Sequence, residues 1–138
     1  MVCLNLIAYK DQFQKLNTMN HKALSIRPFI GAKDFEVSRS FYRDLGFEEG
    51  VLDPKFSVFK TGDLAFYLQD YYDKNWIENT MIFLEVEDVD DYYNQLLALN
   101  LTEKYGVKLT PTRHLDWGSE CFLHDPSGVL WHFGKFNK

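Results

Sequence analysis

The stretch Asp125-Pro126-Ser127-Gly128-Val129-Leu130-Trp131-His132-Phe133 constrains this chain more than any other part of it. A DPxG turn feeds straight into a strand whose alternation points every second side chain, His132 among them, into one cavity. A similar strand, Asp63-Leu64-Ala65-Phe66-Tyr67-Leu68, lies 65 residues earlier. One small unit is written twice. The side chains at the paired inward positions then decide between a metal enzyme and a binding protein.

The first unit is expected to open with a strand over residues 23–30. Gly31-Ala32-Lys33-Asp34 breaks that strand and offers Asp34 as a helix N-cap. Phe35, Ser38, Phe41, Tyr42 and Leu45 follow at helical spacing, and Gly46 supplies the positive-φ residue that ends such a helix. Strands are expected over 47–52, 56–60 and 64–69, separated by Asp53-Pro54 and Thr61-Gly62-Asp63 turn chemistry. The second unit repeats this order. A strand is expected over 80–86, a helix over 88–99 carrying Val89, Tyr92, Tyr93, Leu96 and Leu97, and strands over 104–109, 120–123 and 129–133. An offset of 54 residues superposes Asp34 on Asp88, Phe35 on Val89, Tyr42 on Leu96 and Leu45 on Leu99, so the helix stripes coincide in pattern though hardly in identity. The expected fold class is α+β, two paired βαβββ motifs forming curved mixed sheets around a cleft. The units span about 23–70 and 80–134 of a single domain at 23–138.

A chain of 138 residues buries roughly two thirds of its unfolded surface, enough for one core and not for two domains. A net charge of -5 disfavours a nucleic-acid partner and makes a cationic or neutral ligand easier to accept than an anionic one. Cys3 and Cys121 have neither metal spacing nor the number for a disulfide framework, which fits a reducing, cytoplasmic setting. No stretch reaches the 18 or so apolar residues that cross a bilayer, so no membrane partner is expected. Residues 1–22 form an N-terminal extension unlike the rest of the chain. It lacks the features of a signal peptide, and Met19 stands as an alternative start just before the first strand-like run.

The chain resembles the vicinal oxygen chelate superfamily, the group of glyoxalase I, bleomycin resistance proteins and extradiol dioxygenases. The residues that carry the resemblance are Ala32-Lys33-Asp34 leading into Phe41-Tyr42-Arg43-Asp44-Leu45-Gly46-Phe47, then Phe83-Leu84-Glu85-Val86-Glu87-Asp88-Val89, Trp117-Gly118 and Asp125-Pro126-Ser127-Gly128. The resemblance implies paired βαβββ motifs and a dimer or pseudo-dimer around a ligand cleft. It also implies four inward positions where metal-using members place ligands, one on the first and one on the last strand of each unit. Here those positions hold Arg27, Tyr67, Met81 and His132.

That set is a poor metal site. Divalent first-row ions and Mg²⁺ want imidazole nitrogen and carboxylate oxygen, and a thioether suits Cu(I) instead. A guanidinium about 4 Å from a divalent ion is repelled by roughly 8 kcal/mol at an effective dielectric of about 20, an upper bound. Neither a metal nor another cofactor is expected.

Each of the four residues also has an ordinary structural reading. His132 is either a satisfied buried histidine or a ligand contact, Met81 either adaptable packing or part of a pocket, and Arg27 either an edge ion pair or a cleft residue. His114, Asp116 and Ser119 lie close in sequence, and a polar loop explains them better than a nucleophilic triad.

Aromatic residues make up 17% of the chain. Phe59, Tyr67, Trp76, Trp117 and Phe122, with Tyr71, Tyr72 and Trp131, are the rings available to a flat ligand. The expected function is sequestration of an aromatic or amphipathic small molecule, cationic or neutral by the overall charge, in a homodimer cleft lined by Arg27, Tyr67, Met81, His132, Trp76, Trp117, Phe59 and Phe122. The alternatives are a metal-dependent glyoxalase-type lyase or dioxygenase, and a metal-free enzyme using His132 or Tyr67 as acid or base.

Overall fold

The computed structural model describes residues 19–138. Most of the N-terminal extension, and with it the evidence for a start at Met19, lies outside the described residues.

The elements run β1 (Phe29–Gly31), α1 (Phe35–Asp44), β2 (Glu48–Asp53), β3 (Phe56–Thr61), β4 (Leu64–Gln69), α2 (Lys74–Ile77), β5 (Met81–Glu85), α3 (Val89–Ala98), α4 (Leu101–Tyr105), β6 (Leu109–His114), β7 (Gly118–His124) and β8 (Leu130–Phe136). They build two four-stranded mixed sheets of identical plan, in the orders β1-β4-β3-β2 and β5-β8-β7-β6. In each, the first strand pairs in parallel with the last and the other pairings are antiparallel. This is the doubled βαβββ unit expected from the internal repeat.

Both long helices start as the sequence indicates. Asp34 accepts a hydrogen bond from the Val37 amide at 3.1 Å and Asp88 one from the Asp91 amide at 3.0 Å, each satisfying a donor the first helical turn leaves free. Gly46, at φ +102°, lets the chain turn back after α1.

Two expected strands need correction. The opening strand is confined to Phe29–Gly31 and does not reach back to residue 23. Pro28 has no amide to donate, and Leu24 and Ile26 are more than 90% exposed, so their alternation serves no buried face. Of the strand expected over 104–109, only Leu109 is extended. Asn100 takes a left-handed conformation at φ 56° and restarts a helical turn, α4. That turn buries Leu101 and sets the Tyr105 ring edge-on to Phe41 at 5.4 Å. The true third strand, β6, begins at Leu109 and runs to His114. Pro111 is tolerated there because β6 is an edge strand with a register irregularity between Thr110 and Arg113.

The helix-facing sides of the two sheets share one core. The Trp131 ring on β8 meets Phe66 on β4 at 5.4 Å, Phe47 at 5.8 Å and Tyr42 on α1 at 5.9 Å. The other sides of the two sheets therefore face away from each other. The DPSG turn locks this joint. Asp125 Oδ1 accepts from the amides of Ser127 and Val129, both at 2.9 Å, and Oδ2 accepts from the Tyr42 hydroxyl at 2.6 Å. Tyr42 in turn accepts from Trp131 Nε1 at 3.0 Å, and Ser127 Oγ accepts from the Lys33 amide at 2.8 Å. Burial raises the Asp125 carboxyl above its ordinary range and the Tyr42 hydroxyl well above its own.

Candidate functional site

Strand alternation sorts the expected site residues onto different faces. On β4, Phe66 and Leu68 are buried in the core while Tyr67 turns to the outward side. On β8, Trp131 and Phe133 turn inward and His132 outward. Phe59 pairs with Phe66, is 0% exposed and stacks on it at 5.5 Å, so it is a core residue and not a ligand contact. Trp131 is a core residue for the same reason.

The outward face of the first sheet carries Arg27 and three rings. Arg27 Nη1 donates to the Tyr67 hydroxyl at 3.3 Å, and its guanidinium carbon lies 5.8 Å from the Tyr67 ring centre. The Tyr67 ring sits 4.9 Å from Phe29 and 5.1 Å from Phe56, forming a slab on which Phe29 is half exposed. Phe29 and Phe56 were not singled out in the sequence. Their signal is register alone, since Phe29 stands opposite Tyr67 in the parallel pair.

The outward face of the second sheet carries His132, Met81, Phe83, Phe122, Trp117 and Phe136. Phe122 stands opposite His132 and meets its ring edge-on at 4.8 Å. Trp117 lies 6.3 Å from Phe83 and 5.6 Å from Phe136. Phe83 lies flat across β8 because Gly134 leaves room. A Cβ at Gly134 would fall 2.5 Å from Phe83 Cζ. Met81 is 50% exposed at the edge of this face. His132 Nδ1 stands 3.6 Å from Glu120 Oε2, and Glu120 Oε1 accepts from Arg113 at 2.7 Å. Arg113 also covers the Phe122 ring, with its guanidinium carbon 5.1 Å from the ring centre.

Trp76 belongs to neither slab. It sits on α2, between the two units, 5.8 Å from Tyr71, and its ring packs over the β1 backbone at Gly31. The four positions expected to face one cavity are thus divided within the chain, with Arg27 and Tyr67 on one outward face and Met81 and His132 on the other.

Nucleophilic chemistry finds little support. His114 Nδ1 meets Ser119 Oγ at 2.8 Å, and the acid beside its other nitrogen is Asp90 at 3.6 Å, not Asp116. Both His114 and Asp90 are mostly solvated, so nothing desolvates or activates the serine. Burial pushes the Cys121 thiol up to about 11, with Asp90 and Glu120 adding to the rise, which keeps it protonated and unreactive at neutral pH.

The model of the Glyoxalase/Bleomycin resistance protein/Dioxygenase superfamily matches residues 18–133. The chain belongs to that superfamily. No curated protein matches it. Among solved structures, this superfamily member is similar to a bleomycin-binding protein from Streptomyces verticillus complexed with copper(II)-bleomycin. The two share 25% identity over 86% of this chain and 100% of the other, with a TM-score of 0.72. A bleomycin-binding protein complexed with bleomycin matches at 21% identity over 83% of this chain and all of its own, with a TM-score of 0.70. Lactoylglutathione lyase from Agrobacterium tumefaciens matches at 18% identity over 83% of this chain and 96% of its own, with a TM-score of 0.61. At these identities the likenesses establish the fold.

The metal that parts of the superfamily use does not fit the residues present. His132 is the one nitrogen donor among the four positions, Arg27 brings a positive charge, and the nearby Glu120 carboxylate is already held by Arg113. Among the described residues no group of three His, Cys, Asp or Glu side chains is placed to hold a metal ion.

Proposed function

We propose that this protein binds an aromatic or amphipathic small molecule without a metal and holds it in a cleft between two copies of the chain, making and breaking no bond. The observation that carries this reading is the pair of outward sheet faces, each an aromatic slab with one or two polar groups set into it, Arg27 on one and His132 on the other. Slabs of this kind hold flat ligands by stacking, worth about 0.5 to 1.5 kcal/mol per ring pair beyond area burial. The bleomycin-binding relatives support a ligand-holding use of the fold.

The same geometry supports the dimer. The two slabs of one chain face away from each other, and each is open, with Phe29, Met81 and Phe83 among the exposed large apolar residues. A second copy that covers them brings the Arg27–Tyr67 face of one chain over the Met81–His132 face of the other. All four positions then line one cleft.

Light scattering on the purified chain, combined with a thermal-shift screen of bleomycin-type glycopeptides and aromatic metabolites, tests both parts. A dimer stabilised by at least one such compound in the presence of a chelator is expected. At 100 times its Kd a ligand adds about 2.7 kcal/mol, a shift of several degrees. A monomer that no aromatic compound stabilises contradicts the reading.

A second reading rests on His132 and Glu120. A histidine 3.6 Å from a nearly buried carboxylate is one hydrogen-bond adjustment from an acid–base pair. It requires turnover that His132→Ala abolishes while leaving ligand binding intact.

A further inference from the structure

We infer that the molecule this protein selects carries an oxyanion, a carboxylate or sulfonate, beside its aromatic ring, and that Arg27 receives it. This rests on the binding reading above and reverses the preference expected from the net charge.

The chain has four arginines. Arg39 binds Glu49 at 2.6 Å and Glu36 at 2.8 Å, Arg43 binds Glu49 at 2.7 Å, and Arg113 binds Glu120 at 2.7 Å. Among the described residues Arg27 has no carboxylate partner. Among these residues its single hydrogen bond goes to the Tyr67 hydroxyl at 3.3 Å, and its Nε, covered from solvent, finds no acceptor among them. A covered donor without a partner is costly in a folded protein, and a guanidinium with donors to spare matches the two oxygens of a carboxylate side by side.

The surroundings of Arg27 agree. The outward positions of β3 and β4 are Phe56, Val58, Lys60, Ala65, Tyr67 and Gln69, none of them acidic, and the acids at outward register on β2, Glu48 opposite Lys60 and Asp53 opposite Phe56, stand on the strand farthest from β1, with Asp53 accepting from the Lys55 amide. Glu49, the buried acid of this sheet, stands opposite core-facing Phe59 and is saturated by Arg39, Arg43 and Ser57. The charge of -5 belongs to the molecule as a whole, whereas charges beyond a Debye length of about 8 Å are largely screened. A ligand at the slab therefore meets an unneutralised cation next to the three rings of Phe29, Phe56 and Tyr67.

Calorimetric titration of the full chain with 2-naphthoate, 2-naphthamide and 2-naphthylmethylammonium isolates the charge, because the ring is constant. Naphthoate is expected to bind at least about tenfold tighter than the amide, the ammonium being weakest. Arg27→Gln is expected to bring acid and amide within about threefold of each other, the acid losing the larger share of its affinity. Amide or ammonium binding as tight as naphthoate overturns the inference and leaves the binding reading standing. So does an undiminished acid preference in Arg27→Gln. The comparison in the unsubstituted protein decides the matter even where the variant misfolds. Failure of all three compounds to bind overturns the inference together with the reading it rests on.

Discussion

Tyr42 on α1 donates its hydroxyl to Asp125 Oδ2 at 2.6 Å, joining the helix of the first unit to the turn that launches the last strand of the second. The Tyr42 hydroxyl oxygen in turn accepts from Trp131 Nε1, so two buried polar groups depend on one hydroxyl. The DPSG turn is thus the clasp between the units.

Tyr42→Phe leaves the Asp125 carboxylate and the Trp131 indole N–H short of a partner in a buried site. A loss of about 1 to 3 kcal/mol in unfolding free energy is expected by urea titration, with ligand affinity unchanged. Stability within about 0.5 kcal/mol of the parent would show that the clasp is not holding the units.

Glu49 gives the pH dependence a definite sign. Burial alone raises its carboxyl, but hydrogen bonds from Arg39, Ser57 and Arg43 outweigh burial and hold it at about 2, below its ordinary 4.5. A depressed carboxyl contributes stability that is fully present above 4.5 and lost as pH falls toward 2. The stability difference between the parent and Glu49→Gln is therefore expected to be largest near neutrality and to shrink across that window, read by denaturant midpoints at each pH. Asp125 works the other way, because its raised carboxyl takes up a proton more readily in the folded state and its contribution falls as pH rises. A parent–variant difference that does not change with pH would mean Glu49 is not held as an anion.

Phe59 and Phe83 separate core from ligand surface. Phe59→Ala empties a fully buried site beside Tyr42 and Phe66, and a cost of about 3 to 5 kcal/mol is expected. Phe83→Ala removes a partly exposed outward ring. Less than about 1.5 kcal/mol of stability and roughly tenfold in aromatic-ligand affinity are expected to go. Equal effects on both readouts for both variants would erase the distinction between the two faces.

Gly134 and Phe83 are expected to behave as one unit. A Cβ at Gly134 collides with the Phe83 ring, so Gly134→Ala displaces that ring and weakens ligand binding, whereas in a Phe83→Ala background the added methyl group finds space. The two affinity losses are therefore expected to be markedly less than additive in a double-mutant cycle, and simple additivity would show that Phe83 does not rest on Gly134.

Much of the fold was legible because it is periodic. The helix stripes, the Asp34 and Asp88 caps and the 65-residue echo between β4 and β8 are local patterns, and the structure repeats them. What was not legible depends on distant partners. Residues 104–109 look extended until Tyr105 is seen against Phe41, and the start of β6 at Leu109 shows only in its pairing with β7. Among site residues, strand counting sets Tyr67 and His132 at paired inward positions expected to line one cavity, whereas the structure puts them on two separate outward faces, and Phe59, a ligand candidate by ring chemistry alone, lies in the core by its parity with Phe66. Phe29, Phe56 and Phe136 gained their places by cross-strand register, which one strand read alone does not contain.

The central claim is that an organic guest is held on these faces without a metal. Titration of an aromatic ligand into chelator-stripped protein, repeated after adding Ni²⁺, Zn²⁺, Mn²⁺ or Fe²⁺, tests it most directly. The same Kd is expected in all conditions, with no ion retained after desalting. Binding that appears only with one of these ions, and disappears with that ion in His132→Ala, would contradict it.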